Sequence, residues 1–172
     1  VVCWLHETHV IAFPAVRKYS LSKQLIDPMM GKMYAGTRLT RKTEDAAWRQ
    51  DGEVAVKALL KECVLLRRRM DNGHAIPQED ALKEMAVMQR IHGHAHLMGA
   101  LDVLEDAENV FMVMPYGADL LDTINVMPVH HMEEVVKSIF RQIVQGVCHL
   151  HEQGFVHRDL SLENVVVADD GE

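Results

Sequence analysis

The sequence predicts an α+β fold: a small antiparallel β-sheet that carries one helix, followed by the start of a mainly helical region. Three observations predict it. Short segments that alternate polar and apolar residues recur between Tyr19 and Tyr116, separated by turn-forming residues. Within that stretch, Pro77–Ile91 repeats its apolar residues at helical spacing. A long amphipathic stretch, His131–Gly154, then replaces the strand pattern.

Taken in order, residues 1–18 are of mixed character and predict no element. "YSLSKQLI" (Tyr19–Ile26) alternates at period two, as a half-buried strand does. "GKMYAGTRL" (Gly31–Leu39) predicts a second strand after a turn, and "EVAVKALL" (Glu53–Leu60) a third. The polar segment Thr40–Gly52 between them predicts a long hairpin connection. In "PQEDALKEMAVMQRI" (Pro77–Ile91) a proline and acidic residues mark a helix start, and Leu82, Met85, Met88 and Ile91 recur at three-residue steps. "ALDVLED" and "NVFMVMPY" predict two more strands around an acidic turn, and the helix His131–Gly154 closes at its glycine.

Bulk properties exclude several classes of function. With 172 residues, 48% hydrophobic and 25% charged, the chain has the composition of a soluble globular domain, or of part of a larger one. A net charge of -7 argues against a general nucleic-acid binder, which is normally basic. No apolar run reaches the length of a membrane span and no signal-peptide pattern opens the chain. The cytoplasm is therefore the expected location, with the nucleus as the alternative, and neither nucleic acid nor membrane is an expected partner. Cys3, Cys63 and Cys148 lie far apart without a C-x-x-C pair and read as reduced thiols. The first residue is Val rather than Met, as at a cut end.

The chemistry concentrates in "FVHRDLSLENVVV" (Phe155–Val167). Asp159 and Asn164 stand five residues apart, Arg158 precedes the aspartate, and apolar β-branched residues follow at once. "HRDLSLEN" resembles the catalytic loop of eukaryotic-type protein kinases, and the match runs from about Tyr19 to the last residue. Phosphoryl transfer needs little covalent help from a protein, so such residues place charges and orient groups. The resemblance implies that Asp159 accepts the proton of the attacking hydroxyl and that Asn164 binds Mg²⁺. It further implies that Arg158 pairs with an activation-loop phosphate and that His157 packs beneath the site. On "VAVK", Lys57 would contact the α- and β-phosphates of ATP, and Glu84 in the predicted helix would hold it.

"VFMVMPYGADLL" resembles the segment that joins the two lobes of the family. There Met114 would guard the back of the nucleotide pocket, Pro115 C=O and Gly117 N–H would read the adenine, and Asp119 would reach the ribose or remain a solvated acid. A carbonyl is all that is asked of Pro115, so its missing N–H does no harm. Met33, Ala55 and Val166 would enclose the adenine ring. The implied organisation is a flank at 1–18, a sheet lobe at 19–114, a hinge at 115–119 and a partial helical lobe at 120–172.

Three departures qualify the resemblance. Against the family's G-x-G-x-x-G-x-V, the glycine positions hold Ile26, Pro28 and Gly31, and the valine position holds Met33, which predicts weaker or altered ATP binding. Ser161 stands where serine/threonine kinases carry a lysine, which would cost on the order of a few kcal/mol of transition-state stabilisation. The D-F-G metal ligand would come next, but "NVVVADDGE" stops at Glu172, and "ADDG" reads as a turn. The chain as given is thus expected to be an inactive part of a serine/threonine-type kinase whose intact parent uses ATP and Mg²⁺ on a protein substrate. The alternatives are a pseudokinase-like nucleotide- or partner-binding module and a small-molecule phosphotransferase, against which Arg158 and the Glu-Asn ending count. "HGHAH" (His92, His94 and His96) suggests zinc by its spacing but also fits the family's linker after the helix. Arg67–Arg69 reads as a solvated basic patch, and His149 and His151 suit the end of a helix.

Overall fold

The computed structural model describes residues 2–5, 8–12, 17–26, 31–62 and 81–167. Pro28, Cys63, Arg67–Arg69, the helix start at 77–80 and the Ala168–Gly171 turn lie outside the described residues. Two compact units divide the chain: Val1–Gln89 with Ala100–Tyr116, and Arg90–Gly99 with Gly117–Glu172.

The first unit is a seven-stranded antiparallel sheet of order β1-β2-β3-β4-β5-β7-β6. Its strands are β1 (Val2–Leu5), β2 (Thr8–Ala12), β3 (Arg17–Ile26), β4 (Gly31–Thr40), β5 (Arg49–Leu60), β6 (Asp102–Glu105) and β7 (Asn109–Pro115). Strands β1 and β2 fall in the flank for which the sequence predicts no element. Each is only four or five residues long, too short for a period-two pattern to stand out, and antiparallel pairing of β1 with β2 and of β2 with β3 supplies what local pattern lacks.

The third predicted strand also begins earlier, at Arg49, so that the connection shortens to residues 41–48. A bulge explains the difference. Register moves from Thr37↔Glu53 to Leu39↔Gln50, so Asp51 and Gly52 together oppose Arg38. Gly52 takes up the extra residue at φ 115°, where a side chain would be strained.

The alternation along the strands sorts their residues onto two faces. Tyr19 and Leu21 of β3, Val54 and Val56 of β5, Leu104 of β6 and Phe111 and Val113 of β7 form one core cluster. Strand β7 lies between β5 and β6, and Phe111–Met114 are all buried, so polar alternation disappears there. Arg17 pairs with Asp102 at 3.0 Å, and the Tyr19 hydroxyl donates to the same carboxylate. Burial first, and then the Asp102 carboxylate, push the Tyr19 phenol up to about 12. The predicted helix is present as α1 (Ala81–Arg90), with Met85 buried and Met88 C=O accepting from Ala100 N–H at 3.1 Å.

The second unit contains β8 (Ala118–Asp119), α2 (Leu120–Val126), α3 (Val129–Glu152), a 3₁₀ turn at Leu162–Asn164 and β9 (Val166–Val167), which pairs with β8. Helix α3 ends in a Schellman motif: Gly154 N–H donates to His151 C=O at 2.9 Å and Phe155 N–H to Leu150 C=O at 2.9 Å. Gly154, at φ 79°, is the left-handed residue this motif requires. Residues 90–99, which the sequence places with the sheet lobe, belong to this unit. A Cβ on Gly146 of α3 would stand 2.5 Å from His96 C=O, and the His94 and His149 rings stack at 4.2 Å. Among the described residues no helix is long and apolar enough to cross a membrane.

Candidate active site

In the first unit, strand register assembles one set of the expected residues. Met33 pairs with Lys57, Lys57 with Met112, and Ala55 with Met114, so all five share one face of three adjacent strands, opposite the core cluster. Met112 was not anticipated from sequence. The period-two pattern of "NVFMVMP" holds the signal, because a residue two before Met114 must share its face. Glu84 of α1 meets Lys57 on that face. Both carboxylate oxygens accept from Nζ, at 2.9 and 2.7 Å. The lysine side chain is 13% exposed and the glutamate 35%, so the pair is held largely out of water. An ammonium fixed by a carboxylate beside a flat apolar surface fits a nucleotide, whose base is planar and apolar-faced and whose phosphates are anionic. Gly31 opens β4 opposite Leu59, and Pro115 closes β7 opposite Val54.

In the second unit the loop after α3 organises the other set. Asn164 Nδ2 donates to Asp159 C=O and to Asp159 Oδ2, both at 2.9 Å, which ties the two ends of "DLSLEN" together. With the amide nitrogen engaged, the amide oxygen, an acceptor only, is left to a cation, so the residue fits Mg²⁺. Arg158 adopts φ 67°, a left-handed conformation that costs a non-glycine residue about 1 kcal/mol or more. That turn, with Asp159 N–H donating to His157 Nδ1 at 3.3 Å, sets the direction of the Asp159 side chain. His157 is exposed here rather than packed beneath the site as the resemblance implies, and its ring accepts from the loop backbone.

The segment after the boundary shows similar economy of space. A Cβ on Gly117 would stand 2.5 Å from Val167 C=O and 2.6 Å from Val166 Cγ1, so only glycine fits beside β9. Asp119 caps α2: its side chain accepts from Asp122 N–H at 2.8 Å, which gives one carboxylate oxygen a structural duty. Val166 pairs with Asp119 across β8 and β9. A backbone hydrogen bond first, and then the nearby Ser161 hydroxyl, lower the Glu163 pKa. Among the described residues no group of histidine, cysteine or acidic side chains could hold a metal ion by itself. Stacked flat at 4.2 Å, the His94 and His149 rings cannot both turn a nitrogen toward one ion.

A strand lysine held by a helix glutamate, and a loop that binds its asparagine to its aspartate, define a protein kinase domain. The family model described as "Protein kinase domain" matches residues 44–172, and the chain belongs to that family. It is 33% identical over 155 residues to CDPK-related kinase 1 of Arabidopsis thaliana, which covers 86% of this chain and 25% of that protein. It is 38% identical over 114 residues to calcium/calmodulin-dependent serine/threonine-protein kinase 1 of Oryza sativa subsp. japonica, covering 65% of this chain and 18% of that one. Among solved structures, Rad53 1-466 in complex with AMP-PNP matches with a TM-score of 0.55 at 23% identity, over 87% of this chain and 34% of that chain. That likeness supports the fold. The chain spans about a quarter or less of the length of these curated relatives.

Proposed function

We propose that this domain, within its intact protein, transfers the γ-phosphate of ATP to serine or threonine hydroxyls of a protein substrate. The observation that carries the reading is the Lys57–Glu84 ion pair, with both carboxylate oxygens on one ammonium beside Met33, Ala55 and Met114. Lys57 holds the α- and β-phosphates, and Glu84 keeps its ammonium in place. Asp159 accepts the proton of the substrate hydroxyl through its carboxylate and aligns the oxygen for attack. The new bond joins that oxygen to the γ-phosphorus, and the bond to the β–γ bridging oxygen breaks, releasing ADP. Mg²⁺ would neutralise charge on the phosphate oxygens, and Asn164 is the residue here that would hold it. Direction toward serine and threonine rests on the Glu163-Asn164 ending of the loop and on the serine/threonine kinases among the relatives.

A second reading, nucleotide or partner binding without transfer, has one observation in its favour. At the position where serine/threonine kinases carry a lysine, the loop holds the neutral Ser161, which supplies no positive charge. Incubating the intact protein with γ-labelled ATP, Mg²⁺ and a casein substrate separates the readings. Label on serine or threonine, lost in Asp159→Asn, is the expected result. Saturable ATP binding with no Asp159-dependent label establishes the second reading, and label passing only to a small alcohol refutes both.

A further inference from the structure

We propose that His94, stacked on His149, is a proton-operated latch: it holds residues 94–97 on helix α3 while its imidazole is neutral, and releases them when that ring takes up a proton. Two contacts fix the neutral form. His94 Nδ1 accepts from the backbone N–H of His96 at 3.2 Å, so this nitrogen bears no proton and the ring's one hydrogen sits on Nε2. The flat face of the ring lies on His149 of α3, with centroids 4.2 Å apart and 19° between the planes. The His96 ring stands edge-on to it at 5.9 Å. What the latch holds is a close backbone approach. His96 C=O would stand 2.5 Å, and Leu97 Cδ2 3.1 Å, from a Cβ on Gly146, so the segment lies against α3 with no room for a side chain between them. His94 N–H donates to Ile91 C=O and Leu97 N–H to His94 C=O, each at 3.3 Å, so ring and segment belong to one turn.

A proton on His94 undoes both contacts. Taken up at Nδ1, it turns the acceptor of the His96 N–H into a donor, and two N–H groups then face each other. It also sets a cation among groups that gain protons more readily. His149 Nδ1 lies 3.9 Å from the Glu152 carboxylate, which favours its charged form, and the His96 ring is exposed to water. Among the described residues the groups that act on His94 are His149 and Glu152 of α3 and His96 of its own segment. Glu152 is the one acid of the set, and it is 74% exposed, so a screened carboxylate faces three imidazoles. Burial first, and then His149 and His96, accordingly hold the His94 pKa below its ordinary value. The sign follows: a released His94 titrates near pH 6.5 and the docked ring lower, so docking is at full strength above about pH 6.5 and weakens as the solution becomes more acid. This device is independent of the reaction proposed above, in which none of these residues takes part.

The test is a pH titration of the isotope-labelled 172-residue chain from about pH 8 to about pH 5, followed by magnetic resonance of the imidazole nitrogens and of the amides of residues 94–97 and Gly146. His94 should be the last of the three rings to take up a proton, and the amides should shift in the same step as its ring. Hydrogen exchange at the Leu97 amide, taken relative to its intrinsic rate at each pH, should lose about tenfold of its protection across that step. In His96→Gln, which keeps the backbone N–H, the His94 step should move to higher pH and the amide step should move with it. In His94→Gln the amide step should vanish while the His149 ring still titrates. Unchanged signals from the sheet show that the fold is kept in both variants. A His94 ring that takes up its proton at or above about pH 6.5 overturns the latch. So do amides that stay unmoved as that ring titrates, and so does an amide step that persists in His94→Gln.

Discussion

Replacing Glu84 by glutamine removes the charge that holds Lys57 while keeping the side chain's length. At the shorter contact of 2.7 Å, the attraction is roughly 6 kcal/mol at an effective dielectric of about 20. Desolvation of both groups and the lost freedom of two long side chains offset most of it. Fully exposed pairs couple by about 0.2–1 kcal/mol, whereas breaking a buried pair costs about 3–5 kcal/mol. With side chains 13% and 35% exposed, Lys57 and Glu84 fall between these limits, and we expect a coupling of about 1–2 kcal/mol. The assay is a double-mutant cycle: urea unfolding of the wild type, Lys57→Met, Glu84→Gln and the double variant. Glu84→Gln should cost more alone than in the Lys57→Met background, where no cation is left stranded. Most of the coupling should survive high salt, because the pair is largely shielded from solvent. A coupling below about 0.3 kcal/mol, the level of independent sites, would refute the reasoning, since the lysine would then not be held on its face of the sheet.

Three further outcomes can be checked on the same chain. The Tyr19 phenol is raised to about 12 from an unfolded value near 10, so the unfolded state loses its proton first as pH rises. Stability from this group is therefore complete below about pH 10 and is lost between about pH 10 and 12; ultraviolet titration should show this tyrosine ionising last, and Tyr19→Phe should abolish that step. His94 is lowered, by burial first and then by His149 and His96, so the unfolded state takes up its proton first as pH falls. The contribution is present above about pH 6.5 and declines in more acid solution. Unfolding midpoints of the wild type should fall more than those of His94→Gln as the buffer passes from pH 7.5 to 5.5. Finally, Gly146→Ala places a Cβ 2.5 Å from the backbone C=O of His96, which cannot yield as a side chain could. A loss of about 1–3 kcal/mol is expected, and a melting temperature equal to wild type would show that α3 does not approach residues 90–99 this closely.

Much of the architecture was legible because its cause is local. Periodicity placed β3, β4, β6, α1 and α3 close to their observed bounds, and β7, buried on both faces, showed as a short apolar run between turn residues. Strands β1 and β2 were not legible, because four or five residues cannot show a period and their partner is another strand. The start of β5 was missed for a different reason: the polar run "RQDG" reads as loop, and a bulge at Gly52 lets it continue the ladder. Helix α2 has only seven residues, and its one mark is the capping Asp119.

The types of chemistry-bearing residue, and their order, are determined by the sequence alone. Lys57, Glu84, Asp159 and Asn164 are recognisable because they stand in motifs that resemble those of the protein kinase family, "VAVK" and "HRDLSLEN" among them. Tertiary structure decided which of them meet. Lys57 and Glu84 are 27 residues apart in the chain, and only the packing of α1 on the sheet brings them within 2.7 Å. Register, which depends on hydrogen bonds between strands, put Met112 beside Lys57 and gathered Lys18, Arg41 and Trp48 at one turn. Backbone conformation is likewise invisible in the sequence: Arg158 turns left-handed, beside the contact in which Asp159 N–H donates to His157 Nδ1. Composition and spacing say what a side chain can do, whereas distances between residues remote in sequence are set by burial and by ladder hydrogen bonds of the whole unit.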